Sequence, residues 1–288
     1  MQEIIVKLDG RMGNQMFQWA FARAYEAKNG TMPIFDDSKE TLKLTPFKLS
    51  QNIKTVEKPL WNKFLRKTVP FRNLRNQLTE LKFDLPISKE DYYSKFSPAL
   101  LEASAPVYIQ GFFQTEKYFT HIREKLLHDF VLLKKADGRN KKMLYQIKNT
   151  NSVSIHFRRG DYTKNRVAKI FGKISKKYYY DAVEYIKQNT DEQITLFVFS
   201  DDINWVKKNI KFEYETIYVD INSGKKGYFD IELMKNCKHN IIANSSFSWW
   251  GAWLNENPDK IVVTPTPWMN DINDNYDIIP NNWISIYK

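Results

Sequence analysis

Cysteine is almost missing from this chain. Cys237 stands alone among 288 residues, so no internal disulfide can form, and the composition fits a reducing compartment. No apolar run approaches the roughly 20 residues that a membrane-spanning helix needs. Met1 leads straight into Glu3-Ile-Ile-Val-Lys-Leu8, a strand with no signal segment before it, and the chain reads as cytoplasmic. Aspartates never form an Asp-x-Asp triplet, and no His, Cys and acidic residues cluster at metal-ligand spacing. Repeats and low-complexity tracts are absent too. Acid is in deficit: 44 Lys and Arg against 33 Asp and Glu give a net charge of +11 and a pI near 9.4. That balance points to an anionic partner, whether nucleotide, nucleic acid or membrane surface. A nucleic-acid module would need a basic stripe interleaved with aromatics on a recognisable scaffold, and neither is present. What remains, with 42% hydrophobic and 27% charged residues, is a folded globular protein of two ordinary domains or one large one.

The densest chemistry lies in Ser152-Val-Ser-Ile-His-Phe-Arg-Arg-Gly-Asp-Tyr162. Val153, Ile155 and Phe157 alternate with smaller or polar residues, as in a strand, and Gly160 frees the backbone to turn. Alternation sends His156 and Arg158 to one face and Arg159 to the other. A guanidinium matches phosphate oxygens two at a time, and α/β sheets bind ligands beyond the carboxyl ends of their strands. An Arg–Asp ion pair closing a βα turn is the ordinary alternative.

Around this stretch the periodicities place the other elements. Asp9-Gly-Arg-Met-Gly-Asn-Gln15 is a glycine turn opening a helix, whose Met16, Phe17, Ala20, Phe21, Ala24 and Ala27 share a face and which stops at Gly30. Asn14 and Gln15 open that helix, where orphan N–H groups gather. The turn lacks the Lys-Ser/Thr of a P-loop. Thr31–Phe35 reads as a strand, 38–106 as irregular, 107–113 as a strand with a turn, and 116–130 as one helix burying Phe119, Ile122, Leu126 and Phe130. Leu60-Trp-Asn-Lys-Phe-Leu-Arg-Lys67 reads as a solvated amphipathic helix, with contact to an anionic bilayer as the alternative. Lys134–Lys148 reads as a linker and helix face at a domain boundary. From 151 onward, strands at 152–157, 194–200, 216–219, 240–243 and 261–264 alternate with helices near 176–189, 202–209, 228–237 and 246–256, the signature of a parallel sheet with crossover helices. Thr163–Lys173 reads as a loop. The fold class is therefore α/β, with two halves facing a cleft.

Two further strand ends carry polar groups. Val198-Phe-Ser-Asp-Asp202 places Ser200 and two acids at a helix start, which reads first as an N-cap. Ile242-Ala-Asn-Ser-Ser-Phe-Ser-Trp-Trp-Gly-Ala-Trp-Leu254 runs from a buried strand into Asn244, Ser245 and Ser246, where hydroxyls and helix N–H groups make an anion site. Trp249, Trp250 and Trp253 are core by pattern, with stacking on a sugar or base as the alternative. With no credible cation site, a diphosphate would be neutralised by arginine and helix-end dipoles.

Gly10-Arg-Met-Gly-Asn-Gln15, Gly111-Phe-Phe-Gln-Thr-Glu-Lys-Tyr-Phe119, His156-Phe-Arg-Arg-Gly-Asp-Tyr162, Phe199-Ser-Asp-Asp202 and Asn244-Ser-Ser-Phe-Ser-Trp-Trp-Gly251 together resemble the bacterial α-1,2-fucosyltransferases of glycosyltransferase family 11. The motifs keep the family's order from residue 8 to about 268. The resemblance implies a GT-B fold of two Rossmann-like halves: an acceptor-side domain at 1–135 and a GDP-sugar-binding domain at 150–288. It implies GDP-β-L-fucose as donor, inversion to an α-fucoside on the 2-hydroxyl of a terminal β-galactose, and neither metal nor other cofactor. Another GDP-sugar transferase on the same scaffold is the alternative. Surface polysaccharide or O-antigen assembly is the expected setting, with a lipid-linked acceptor and peripheral contact with the inner membrane face left open.

By the same resemblance, Arg158 or Arg159 holds the donor diphosphate, with Arg159 expected to be critical and Arg158 partly structural. His156 lies against the guanosine, and Asp230 reads guanine through its adjacent N–H donors. Ser245, Ser246 and Ser248 face the phosphates, joined at the donor by Ser200, Phe247 and Gln15, while Asn14 approaches fucose and diphosphate from the other domain. Related α-1,6 enzymes have a glutamate base some ten residues after the histidine. Arg166 stands there in this chain, which leaves Asp161 as the nearest carboxylate for the catalytic base or, equally, for orienting an arginine.

Overall fold

The computed structural model describes residues 3–38, 40–56, 85–90, 95–160, 165–222, 224–270 and 276–288. Asp161, Tyr162 and the amphipathic segment 60–67 lie outside the described residues. The chain divides into two units, Met1–Leu133 with Tyr276–Ile278, and Lys134–Asn275 with Ile279–Lys288.

Among the described residues, the first unit holds a four-stranded parallel sheet in the order β2-β1-β4-β3. These strands are β1 (Ile4–Lys7), β2 (Ile34–Asp36), β3 (Ile87–Lys89) and β4 (Val107–Gln110). β-Branched and aromatic residues fill the centre: Ile4, Ile5 and Val6 are buried, registered against Val107, Tyr108 and Ile109. Helix α1 (Met12–Asn29) ends at Gly30, whose φ of 74° is the left-handed cap that glycine adopts without strain. It buries more than one stripe. Gln15, Gln18, Trp19, Ala22 and Tyr25 join the apolar face, while Ala27 is exposed. Trp19 Nε1 donates to Asp129 at 2.9 Å and Tyr25 donates to the Ala103 carbonyl at 2.6 Å, so the aromatic polar atoms are satisfied inside.

Two expectations fail here. The stretch 38–106 contains β3 and a short helix, α2 (Pro98–Leu101). The stretch 116–130 is not one helix: 3-10 turns at Glu116–Tyr118 and Thr120–Ile122 precede α3 (Arg123–Asp129). Phe119, at φ −137° and ψ 6°, leaves helical geometry between them. Phe119, Leu126 and Phe130 are nonetheless buried, as the pattern requires. Asp277 rejoins this unit from far along the chain. Its carboxylate accepts from Phe96 N at 2.8 Å and pairs with Lys117.

The second unit opens with α4 (Gly138–Lys148), capped by Asp137 and buried at Asn140, Met143 and Ile147. Its six-stranded sheet is parallel throughout, in the order β10-β9-β8-β5-β6-β7. The strands are β5 (Asn151–Phe157), β6 (Ile194–Ser200), β7 (Glu215–Tyr218), β8 (His239–Ile241), β9 (Val262–Thr266) and β10 (Ile284–Tyr287). Between them run α5 (Asn165–Phe171), α6 (Lys176–Gln188), α7 (Ile203–Asn209), α8 (Tyr228–Lys235) and α9 (Ser246–Trp253). α5 replaces an expected loop; it ends at Gly172, φ 72°, whose N–H reaches the Ala168 carbonyl at 2.9 Å.

β5 is buried at every residue, because helices cover both faces of a central parallel strand. Val153, Ile155 and Phe157 enter a core with Tyr178, Ala182 and Val206. The alternate residues are polar but spoken for. Ser152 accepts from Lys238 N at 3.1 Å, Ser154 from Asn240 Nδ2 at 2.7 Å, and His156 meets Ser248. The sheet grows outward from β5 in one direction through β6 and β7, and in the other through β8, β9 and β10. The gap beyond the carboxyl ends of β5 and β8 is therefore a topological switch point, where open α/β sheets bind ligands.

Candidate active site

His156 stands at that switch point. Its Nδ1 lies 2.9 Å from the Ser248 hydroxyl, and its ring lies 5.6 Å from Phe247, centroid to centroid. Burial, reinforced by the Arg158 charge and opposed by Asp201, pushes its pKa down, so the imidazole is neutral at physiological pH. With Nδ1 engaged by Ser248, Nε2 is the nitrogen left for a ligand. Ser248 is thus a buried partner of His156, which corrects its expected place against phosphates.

Past His156 the strand ends at Phe157, and the two arginines diverge. Arg158 Nη1 pairs with Asp201 Oδ2 at 2.8 Å. The same carboxylate accepts from Arg159 N at 2.8 Å and Gly160 N at 3.1 Å, so Asp201 fixes the turn as well as the guanidinium. A Cβ at Gly160 would lie 2.7 Å from Asp201 Oδ2, so a larger residue there would push against the carboxylate that holds the turn. Burial of Asp201 raises its pKa, but the Arg158 charge and the two amide bonds outweigh it and hold the carboxyl low. Arg159 turns to the other side. Its guanidinium carbon lies 3.3 Å from the Trp205 ring centroid and its Nε donates to Asp202 at 3.4 Å. With Phe157, Lys173, Lys176 and Tyr179, the arginines line a cavity of about 150 Å³.

The acids after Ser200 thus have separate jobs. Asp202 is the N-cap, accepting from Trp205 N at 3.3 Å, and also meets Arg159, while Asp201 holds Arg158 and the turn amides. Ser200 accepts from Asp202 N at 2.9 Å, a turn contact rather than a donor-facing one. Across the switch point, Ser245 occupies the N-cap position of α9 without a side-chain capping bond, at the helix end whose dipole favours an anion. Ser246 and Phe247, both half-buried, begin that turn. Asn244 is structural: its Nδ2 donates to the carbonyls of Phe171 at 2.7 Å and Trp268 at 3.1 Å. Trp249, Trp250 and Trp253 are buried and contact one another at 5.1–6.0 Å, so they are core. Gly251 lets α9 approach α8, since a Cβ there would lie 2.9 Å from Met234 Cβ. Asp230, in the first turn of α8, accepts from Asn222 at 2.9 Å, and burial pushes its pKa up to about 7.

The first unit carries its own polar edge. Gly10, at φ 76°, brings the turn so close to Asn14 that a Cβ would clash with Nδ2 at 2.4 Å. Asn14 Oδ1 accepts from Gln114 Nε2 at 2.9 Å. Gln15 does not fit the donor role expected of it. It is buried, its Nε2 donates to the Thr41 carbonyl at 3.1 Å, and its Oε1 accepts from Lys43 N at 2.7 Å. No sequence pattern singles out Glu90, whose Oε2 accepts from Phe112 N at 2.7 Å and Phe113 N at 3.2 Å, and whose Oε1 is buried with no hydrogen-bond partner among the described residues. Burial raises its pKa to about 7, against the lowering effect of the two amides. Among the described residues no three His, Cys, Asp or Glu side chains could hold a metal together. None of their helices is long and apolar enough to cross a membrane.

Comparison with known proteins identifies the family and the fold. The family model for glycosyl transferase family 11 matches residues 1–287. An Escherichia coli alpha-1,2-colitosyltransferase is 34% identical over 100% of both chains. The O-antigen biosynthesis glycosyltransferase WbnK, also from Escherichia coli, is 30% identical over 97% of this chain and 99% of its own. Among solved structures, a mutant of Arabidopsis thaliana FUT1 in complex with GDP aligns with TM-score 0.51 and 10% identity, covering 94% of this chain and 72% of that one. At that identity the likeness speaks to fold alone, and the fold is of the GT-B type.

Proposed function

The chain belongs to glycosyltransferase family 11, and from that premise we propose that it transfers L-fucose from GDP-β-L-fucose to the 2-hydroxyl of a terminal β-galactose, with inversion. One observation carries the reading: the His156–Ser248 contact ties the arginine turn after β5 to the first turn of α9, at the switch point of a parallel sheet. Two guanidiniums and a helix N-terminus suit a diphosphate leaving group.

In this mechanism Arg158 or Arg159, the α9 amides and the hydroxyls of Ser245 and Ser246 hold the diphosphate. Neutral His156 lies against the guanosine, and Asp230 accepts from the base. The galactose oxygen bonds to fucose C1 as the C1–O bond to the β-phosphate breaks. The bonding pair leaves with GDP, whose growing charge the guanidiniums and amides stabilise. The hydroxyl proton passes late in the step to a carboxylate, for which Asp161, two residues after Arg159 in sequence, is the candidate. Arginine and helix dipole replace a divalent cation, so transfer is metal-independent. The family setting supports work on O-antigen or a related surface glycan, from the cytoplasm, where a GDP-sugar is at hand.

A second donor is favoured by the 34% relative named as a colitosyltransferase. Colitose is L-fucose without its 3-hydroxyl, so the same phosphate and guanine contacts serve both sugars. The deciding experiment offers GDP-fucose and GDP-colitose with lactose and a panel of β-galactosides, with and without excess EDTA. An α-1,2-fucosylated product formed equally under chelation supports the proposal. A higher kcat/KM for GDP-colitose selects the second donor, and loss on chelation, restored by Mg²⁺ or Mn²⁺, refutes metal independence.

A further inference from the structure

Asn222 and Asn140 grip each other head to head. Asn140 Nδ2 donates to Asn222 Oδ1 at 3.0 Å, and Asn222 Nδ2 donates to Asn140 Oδ1 at 2.8 Å. Each amide has a second N–H, and each points it at a carboxylate. Asn140 donates to Asp137 Oδ1 at 3.0 Å, and Asn222 donates to Asp230 Oδ1 at 2.9 Å. An amide offers two donors on nitrogen and acceptors on oxygen, so carboxylates at both ends forbid flipping either side chain. Asn140 is 1% exposed, and its backbone N–H also reaches Asp137 at 3.0 Å, so the far end of this relay is anchored in the cap of α4.

The near end is under-supplied. Asn222 is the one described residue that donates to the Asp230 side chain, and no described cation pairs with it. At the far end of the relay, Asp137 pairs with Lys226 at 3.7 Å. A carboxylate so enclosed gains from further N–H donors, because hydrogen bonds to the charged form restore what burial takes away. Neutral donors in adjacent positions suit it. Guanine offers N1–H and N2–H₂ side by side, hypoxanthine only N1–H, and adenine no such pair.

We propose that Asn222, locked by Asn140, positions Asp230 so that its remaining lone pairs read the Watson–Crick edge of a guanine base. Asn222 is then a positioning residue for base specificity, acting through Asp230. The inference rests on the GDP-sugar reading above.

The test measures GDP, IDP and ADP binding to the whole chain across pH 5–9, for the parent, Asn222→Ser and Asp230→Asn. The parent should prefer GDP over ADP, with affinity declining as pH falls through the Asp230 titration. Asn222→Ser should weaken GDP about tenfold at neutral pH, the scale of one lost hydrogen bond to a charged group. IDP should lose less and ADP nothing. Because Asn222 lowers the Asp230 pKa, its removal should move the midpoint of the GDP decline to higher pH. The donor KM should rise far more than kcat falls. The GDP-to-ADP affinity ratio does not depend on the folded fraction, so partial unfolding cannot imitate this result. If Asn222→Ser keeps the ratio and midpoint while Asp230→Asn loses the preference, the inference fails and the donor reading stands. If Asp230→Asn also keeps the preference, Asp230 does not read the base and the inference falls with it. A parent indifferent between GDP and ADP refutes the donor reading itself.

Discussion

Nδ1 of His156 and the hydroxyl of Ser248 lie 2.9 Å apart, joining positions separated by 92 residues. The contact couples the end of β5 to the first turn of α9 and selects which imidazole nitrogen faces outward. Ser248→Ala should leave the fold intact, with a fall in Tm of a few degrees from one lost buried hydrogen bond. GDP affinity and turnover should drop together, by about tenfold. Calorimetry with GDP titration checks this; unchanged affinity would show that His156 needs no orientation.

Asp201 gathers the Arg158 guanidinium and the amides of Arg159 and Gly160 on one carboxylate. Asp201→Asn keeps the shape but removes the charge, so GDP should bind at least about tenfold more weakly. The folded-state pKa is lowered, so the carboxylate's contribution to stability is present above its unfolded value. It is lost as pH falls through the folded value. Parent and variant should therefore differ in Tm at pH 7 and converge in strong acid.

Arg158→Ala and Arg159→Ala should each reduce transfer by about a hundredfold or more with far-ultraviolet dichroism unchanged, the usual cost of losing a preorganised charge partner for the leaving group. The larger effect is expected for Arg159. Near-normal turnover in both would remove the arginines from the mechanism.

Asp161→Asn separates base from positioner. A base predicts a large fall in kcat with GDP affinity nearly unchanged. An orienting partner predicts weaker GDP binding in step with lost activity. Parent-like behaviour in both assays sends the search to other carboxylates.

Glu90 carries a pKa raised to about 7 by burial, above that of an unfolded glutamate. Here linkage runs opposite to Asp201. The folded state binds the proton more tightly, so Glu90 costs nothing in acid and destabilises increasingly as pH rises from the unfolded value to the folded one. Glu90→Gln should match the parent near pH 4 and melt a few degrees higher at pH 8. A variant that melts lower throughout would show that the carboxylate's amide bonds to Phe112 and Phe113 outweigh its burial.

Much of the second unit is legible in the sequence because each central strand is an apolar run between turn residues, and each long crossover helix keeps its own period. The misses have local causes. β3 is three residues long with Ile87 exposed, too short for a period to register. α5, at 7 residues, is nearly as brief, and Gly172 marks only its end. At the site, the arginines and His156 can be read from one stretch. The Asn140–Asn222 pair spans 82 residues, and no pattern near either asparagine announces the other. Glu90 is invisible for a similar reason: it acts on amides 22 and 23 residues away, in a turn whose Gly111 leaves room for it. The two acids after Ser200 look alike in sequence, and only the pairing of β5 with β6 tells Asp202, which caps a helix and meets Arg159, from Asp201, which holds Arg158 and the turn amides.

The return of Tyr276–Ile278 to the first unit bears on how members of this family can be recombined. A chimera made by one crossover near residue 133 would pair a relative's Phe96 and Lys117 positions with the host's Asp277, or the reverse. The three positions form one inherited block although the chain separates them. Exchange of first units among such enzymes should succeed when residue 277 travels with the first 133, and should leave an unmatched carboxylate when it does not.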